Sequence, residues 1–272
     1  MDTHKATLIL RGGGDLASGV ALRCFRAGFQ ILITEIPRPL AVRRSVAFAE
    51  AIFAGSIQVE GITGRRVNNL DEILAAWQTN EIPVLNDPVC AIRKQLLPTV
   101  LIDGRMTKQP PDLDRNAAEL VIGLGPGFTA GEDCHAIIET NRGHFLGRVI
   151  WDGPAQVDTG IPEGVSDHLT DRVLRAPATG ILSATARIGE IFEAGQPIAE
   201  VGGLAITAPF RSLLRGLIHP GIHVQAGMKI GDLDPRCDPR YTQYVSEKSL
   251  AVGGGVLEAI MSRPEIIRKM LK

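Results

Sequence analysis

The chain has 272 residues, 44% of them hydrophobic, and its 29 basic and 30 acidic residues give a formal net charge of −1. That length suffices for one to three domains with a buried core. Balanced charge and an aromatic content of 4% exclude the basic footprint and stacking platforms of a nucleic-acid binder.

No apolar run approaches the roughly eighteen residues of a membrane span. Residues 1–5 lead straight into the first apolar run, which leaves no room for a signal peptide. Cys24, Cys90, Cys134 and Cys237 form no CxxC pair and no framework spacing, so a reduced, cytoplasmic protein is expected.

The apolar run 6–10 predicts a buried strand that stops at Gly12-Gly13-Gly14. A helical pattern follows at once through Leu16, Val20, Ala21 and Phe25. Strand, tight turn and helix N-terminus together turn backbone N–H groups toward an anion. The spacing Gly12-x-Gly14-x-x-Ala17 matches the dinucleotide fingerprint in its alanine-ending form, with Arg11 and Asp15 flanking the turn. A second strand over 30–34 ends at Glu35, where the fingerprint places the acidic residue that meets a ribose hydroxyl. The alternative is a glycine turn that serves only to reverse the chain.

Pro37 and Pro39 stop that strand, and residues 40–54 carry helical periodicity with Arg43 and Arg44 in the first turns. These arginines are either a solvated helical face or a fork for a phosphate or carboxylate beside the nucleotide mouth. A short strand over 56–59, a turn with Gly61 and Gly64, and a helix over 69–79 come next. Two further apolar runs end at Asp87 and at Asp103-Gly104-Arg105. The carboxyl ends of strands in open α/β sheets face the ligand crevice, which makes Asp87, Asp103 and Arg105 candidate lining residues; turn formation is the competing role.

Residues 106–116 read as a surface loop or flap. Gly123-x-Gly125-x-Gly127 then offers close backbone approach, although Pro126 removes one N–H. Glu132 and Asp133 end this loop near the crevice. Cys134-His135 is read as two neighbours on opposite faces of a strand, and a reactive thiolate is the alternative.

The C-terminal half repeats itself. Ala176, Pro177, Leu182, Gly189, Ala194, Gly195 and Ile198 register with Ala208, Pro209, Leu214, Gly221, Ala226, Gly227 and Ile230, a constant offset of 32 residues. Two copies are too few for a solenoid, so they must close on each other as a two-sheet β unit. The pattern resembles the barrel-sandwich hybrid of biotinyl and lipoyl carrier domains. The junction over 200–206 lacks the carrier lysine, so neither biotin nor lipoate is expected. Pro220 and Gly221 separate His219 from His223, which favours a polar loop over zinc ligation, and no metal site is predicted. A final helix over 246–261, capped by Ser246, contains Gly253-Gly254-Gly255, a run suited to close backbone packing.

Several long motifs occur together: residues 11–21 (Arg-Gly-x-Gly-Asp-Leu-Ala-x-Gly-Val-Ala), 35–46, 101–106, 123–131, 138–147 and 246–259. This set resembles the YqeB-type accessory proteins of the selenium-dependent molybdenum hydroxylase system. The resemblance implies an accessory or maturation protein for these enzymes that handles a nucleotide-containing cofactor. A distant likeness to xanthine dehydrogenase accessory factors points the same way. An NAD(P)-dependent oxidoreductase, with His135, His144 or Asp103 as proton donor, and a non-catalytic scaffold are the alternatives.

The expected fold is α/β. It comprises a Rossmann-like doubly wound domain (1–170), a small barrel-sandwich-hybrid domain (171–236) and a helical segment (237–272) returning to the first. The expected cofactor-binding set is Gly12, Gly13, Gly14, Asp15, Ala17, Glu35, Arg43, Arg44, Asp103, Arg105, Gly125 and Gly127. The expected ligand is a nucleotide-type small molecule, NAD(P) or a molybdopterin dinucleotide. The expected partner is a molybdenum hydroxylase client; homo-oligomerisation and the catalytic residues are left open.

Overall fold

The structure, a computed structural model, describes residues 7–107, 110–157 and 171–270. Residues 1–6 with the start of the first predicted strand, residues 108–109 of the predicted flap, and the predicted domain boundary at 170/171 lie outside the described residues.

β1 (Thr7–Arg11) leads through the glycine turn into α1 (Asp15–Arg26) and β2 (Gln30–Glu35). Then come α2 (Ala51–Ala54), the hairpin of β3 (Ser56–Val59) and β4 (Ile62–Val67), α3 (Leu70–Gln78), β5 (Ile82–Asn86), the single turn α4 (Arg93–Leu96) and β6 (Val100–Asp103). β7 (Leu120–Leu124), β8 (Thr129–Ala130), β9 (Ala136–Ile138), β10 (Val149–Ile150) and β11 (Gly153–Pro154) follow without an intervening α-helix among the described residues.

Nine of these strands form one sheet, in the order β10-β9-β7-β6-β1-β2-β5-β4-β3. Its interior pairs are parallel, and both edges, β3 and β10, are antiparallel. β8 and β11 make a separate two-stranded ribbon. Side chains alternate between two cores, as the two-residue period of a strand requires. Leu8, Leu10, Ile31, Ile33 and Ile102 face α1 and α2, whereas Ile9, Leu32, Leu101 and Val121 face α3 and the loops after β5 and β7.

The expected Rossmann-like doubly wound domain is therefore corrected to a mixed α/β arrangement around a large mixed sheet. A doubly wound sheet needs a helix in each parallel crossover. Here Gly104, Pro110 and Pro111 in one connection, and Gly125, Pro126 and Gly127 in the next, interrupt any helical run, and among the described residues no α-helix lies in either crossing. The helix predicted over 40–54 also shrinks to two 3-10 turns and α2. The N–H groups of Phe48 and Ala49 bond instead to Ser18 Oγ and to the Gly13 carbonyl.

The remaining strands are β12 (Val173–Arg175), β13 (Gly180–Ser183), β14 (Ile191–Phe192), β15 (Pro197–Val201), β16 (Leu204–Thr207), β17 (Ser212–Leu217), β18 (His223–Val224) and β19 (Lys229–Asp234). They form two four-stranded antiparallel sheets, β12-β19-β17-β14 and β16-β15-β13-β18. Each sheet draws strands from both sequence copies, so neither copy is a structural unit by itself.

The expected separate barrel-sandwich-hybrid domain is corrected as well. The core of this part takes in Val42 and Phe53 from the N-terminal segment. A Cβ on Gly216 would stand 2.8 Å from the Val42 carbonyl oxygen, and Arg44 donates to the Leu217 carbonyl. The β part packs against the segment between β2 and β3.

α5 (Glu247–Met261) packs along α1 and covers β7, β9 and β10, and α6 (Pro264–Met270) ends the described chain. The two long helices touch through glycine. A Cβ on Gly19 would lie 2.5 Å from Ser249 Cβ, and one on Gly253 would lie 2.9 Å from the Gly19 carbonyl oxygen.

Candidate functional site

The predicted residues divide among three places. At the glycine turn, Gly12 has φ +87°, and its N–H donates to the Thr34 carbonyl at 2.7 Å. Its missing side chain admits the Arg105 backbone, 3.2 Å from where a Cβ would stand. The Gly13 N–H donates to Glu35 Oε2 at 2.7 Å, and Glu35 Oε1 accepts the Ile36 N–H at 2.8 Å. Burial raises the pKa of the Glu35 carboxyl, against the lowering effect of those two donors. Gly14 caps α1 in extended conformation with open space around its α-carbon, and Ala17 is buried beside Gly104.

Asp15, Arg43 and Arg44 serve the joint between the two parts. Both carboxylate oxygens of Asp15 accept from Arg43 NH1 (3.1 and 3.0 Å). Arg43 NH2 donates to the carbonyls of Tyr241 and Tyr244 at 2.9 and 2.8 Å. Arg44 bridges Glu50 (3.2 Å) and the Leu217 carbonyl (3.0 Å). Gly125 and Gly127, with φ +69° and +107°, shape the loop after β7; a Cβ on Gly125 would collide with Thr140 Oγ1.

The third place is an ion cluster at the carboxyl ends of β1 and β6, where Arg11 and Asp103 are register partners. Arg11 is 1% exposed. Its NH1 donates to Asp103 Oδ2 (3.2 Å) and Asp112 Oδ1 (2.6 Å), and its NH2 to Asp112 Oδ2 (2.9 Å) and the Pro88 carbonyl (3.4 Å). Arg105 meets the same two acids. Its Nε and NH2 hold Asp103 at 3.0 and 2.6 Å, while NH2 and NH1 reach Asp112 at 2.7 and 3.4 Å. Burial opposes the Arg105 charge, but Asp103 and then Asp112 more than offset it and raise its pKa. Hydrogen bonding from Arg11, against partial burial and with help from Arg105, holds the Asp112 carboxyl well below the usual range.

Asp103 is buried, whereas the Asp112 side chain is 49% exposed. Asp103 is thus the fixed counter-charge between two guanidinia, and Asp112 is a loop carboxylate laid across their open side. Arg11 Nε is buried without a partner, so even this network leaves one donor unsatisfied. Sequence reasoning proposed Asp103 and Arg105, treated Arg11 as a flanking group and missed Asp112. Asp112 stands 101 residues from Arg11 in a proline-bearing stretch, and no local pattern pairs them.

The other candidates have structural occupations. Asp87 accepts the Ile92 N–H, Asp133 accepts the Thr129 N–H, and His135 Nδ1 accepts the Val121 N–H at 3.0 Å. Desolvation lowers the His135 pKa. Cys134 is buried, its thiol pushed up to about 11 by that burial. His219 stacks on Phe53 at 4.0 Å, His144 sits edge-on to Phe145, and no group of three metal-ligating side chains occurs among the described residues. No described helix is long and apolar enough to cross a membrane.

No protein-family model matches the chain. Among curated proteins it is 45% identical over 254 residues to the uncharacterized protein YqeB of Escherichia coli K12, a match covering 93% of this chain. Over that stretch the chain is similar to YqeB. It spans about half of the curated relative, 47% of YqeB's length.

Some solved structures show a partial likeness. They are an aspartoacylase family protein from Mesorhizobium loti (10% identity, TM-score 0.27, 84% of each chain), a succinylglutamate desuccinylase/aspartoacylase from Rhodobacter sphaeroides (14%, 0.26, 84% and 85%) and the ectoine utilization protein EutE of Ruegeria pomeroyi (12%, 0.25, 84% and 85%). At such scores neither fold nor activity transfers to this chain.

The expected function is corrected. Nucleotide-handling maturation of selenium-dependent molybdenum hydroxylases and NAD(P)-dependent hydride transfer are set aside. The geometry of the glycine turn overturns them. Gly12 and Gly13 direct their N–H groups to Thr34 and Glu35, Glu35 is held by Gly13 and Ile36, and Arg43 and Arg44 are engaged by Asp15 and Glu50. The groups that were to hold phosphate and ribose hold each other.

Proposed function

We propose that the chain binds a small anionic molecule between Arg11 and Arg105, at the carboxyl ends of β1 and β6. The observation that carries this reading is Asp112, a half-exposed loop carboxylate held by two guanidinia, one of them fully buried. Two arginines and the buried Asp103 leave one positive charge, and a buried charge requires a partner. Asp112 supplies it in the structure; a ligand anion would supply it in the bound state. Arginine forks suit such oxyanions because two parallel N–H groups meet two oxygens. Four free cysteines fit a reducing, cytoplasmic setting for this role.

The test is calorimetric titration of the full chain with sodium acetate, succinate and inorganic phosphate against sodium chloride at matched ionic strength. Saturable binding of one or more oxyanions, lost in Arg105→Gln, is expected. Equal responses to chloride and to the oxyanions would sink the reading.

A further inference from the structure

Resting on that anion reading, we infer that the ligand's head group is a carboxylate and that Asp112 is its built-in competitor. Charge comes first. Arg11, Arg105 and Asp103 sum to a single positive charge, which one carboxylate balances and a phosphate dianion overshoots. A dianion would sit uncompensated against a site whose arginine is 1% exposed.

Shape gives the same answer. Asp112 Oδ1 takes Arg11 NH1 and Arg105 NH2 at 2.6 and 2.7 Å, and Oδ2 takes Arg11 NH2 and Arg105 NH1 at 2.9 and 3.4 Å. Two oxygens therefore meet four nitrogens, matching the lone pairs of a planar carboxylate. A carboxylate fills both forks with no oxygen left over. Arg11 Nε points away from this fork by covalent geometry.

The competitor role follows from the difference between the two acids. Asp103 is buried and tied to the Arg105 backbone N–H at 3.2 Å, so it stays. Asp112 belongs to a loop and is half in water, so it can return to solvent when another carboxylate replaces it. Ligand affinity is then reduced by the fraction of time Asp112 is away. Four N–H···O contacts from a half-exposed side chain hold Asp112 in place most of the time, which corresponds to a penalty of a few-fold.

Calorimetry of wild type, Asp112→Ala and Asp112→Asn with acetate, succinate and inorganic phosphate at pH 7 tests this directly. Carboxylates should bind both variants a few-fold tighter than wild type and tighter than phosphate in every protein, and ligand should raise the melting temperature of Asp112→Ala most. Phosphate binding tighter than acetate throughout would overturn the carboxylate assignment and leave the anion reading standing. Equal carboxylate affinity in wild type and both variants would overturn the competitor role. No oxyanion binding in any of the three would overturn both.

Discussion

Two adjacent glycines in α5 should respond in opposite directions to the same substitution. Gly254 is exposed, and a Cβ built on it meets nothing within 4 Å. Gly254→Ala should therefore stabilise the protein by about 1 kcal/mol, the helix-propensity difference between the two residues. Gly255 is buried against the chain between β9 and β10. A Cβ there would fall on the Gly147 carbonyl oxygen and 2.8 Å from Ile138 Cγ2, inside the usual contact distance of about 3.5–4.0 Å.

The obstacle at Gly255 is backbone, so no side-chain rotation relieves it. Gly147 has φ +81° and donates its N–H to the Glu139 carbonyl, so it cannot drift without losing that bond. Overpacking of this kind costs about 1–3 kcal/mol or more. It outweighs the propensity gain and leaves Gly255→Ala less stable than wild type by about 1–2 kcal/mol. The two variants should thus differ by about 2–3 kcal/mol, roughly 1 M in urea midpoint at an m-value of about 2–3 kcal/mol/M. Urea denaturation followed by far-UV circular dichroism measures this. If Gly255→Ala matches Gly254→Ala, the close approach of α5 to Gly147 is wrong.

Arg43→Ala would leave Asp15 and two carbonyls at the joint without their buried partner, and a loss of about 3–5 kcal/mol is expected, read as a fall in melting temperature of about 10 °C. Asp112 has a lowered folded-state pKa, so its stabilising contribution is present above the ordinary carboxylate pKa and fades only as pH falls through the lower folded value. The stability difference between wild type and Asp112→Asn should therefore be flat from about pH 5 to 8 and shrink below about pH 4. It should remain under about 1 kcal/mol, because the side chain is half-exposed and screened. In the native protein at about pH 8, iodoacetamide should label Cys237 ahead of the others, as mass spectrometry of the peptides would reveal. Cys24 and Cys134 are buried with thiols pushed up to about 12 and about 11, and Cys90 is buried with its pKa raised. Early labelling of Cys24 would contradict its placement on the buried face of α1.

Much of the local structure was legible because local rules govern it. Ser246 accepts the Ser249 N–H at the start of α5, the capping that its position implied, and of the adjacent Asn68 and Asn69, either able to cap α3, it is Asn69 that accepts the Glu72 N–H. The 32-residue repeat reappears as strands: β13, β14 and β15 recur as β17, β18 and β19 at that offset. The helix over 40–54 failed because periodicity reports a buried face but not which partner takes the backbone N–H groups. The nucleotide reading failed for a related reason. A glycine turn presents N–H groups, and the folded chain decides whether Thr34 and Glu35 have already claimed them.

Propensity, capping and turn chemistry act within a few residues, so the order of amino acids was enough to set where most strands and helices begin and end. It also put Asp103 and Arg105 at the carboxyl end of a strand. The meeting of Arg11 with Asp112 across 101 residues, and the burial of one side of that pair, came with the folded chain alone. Charge pairing of this kind depends on distance through space and on desolvation, and neither is encoded in spacing along the chain.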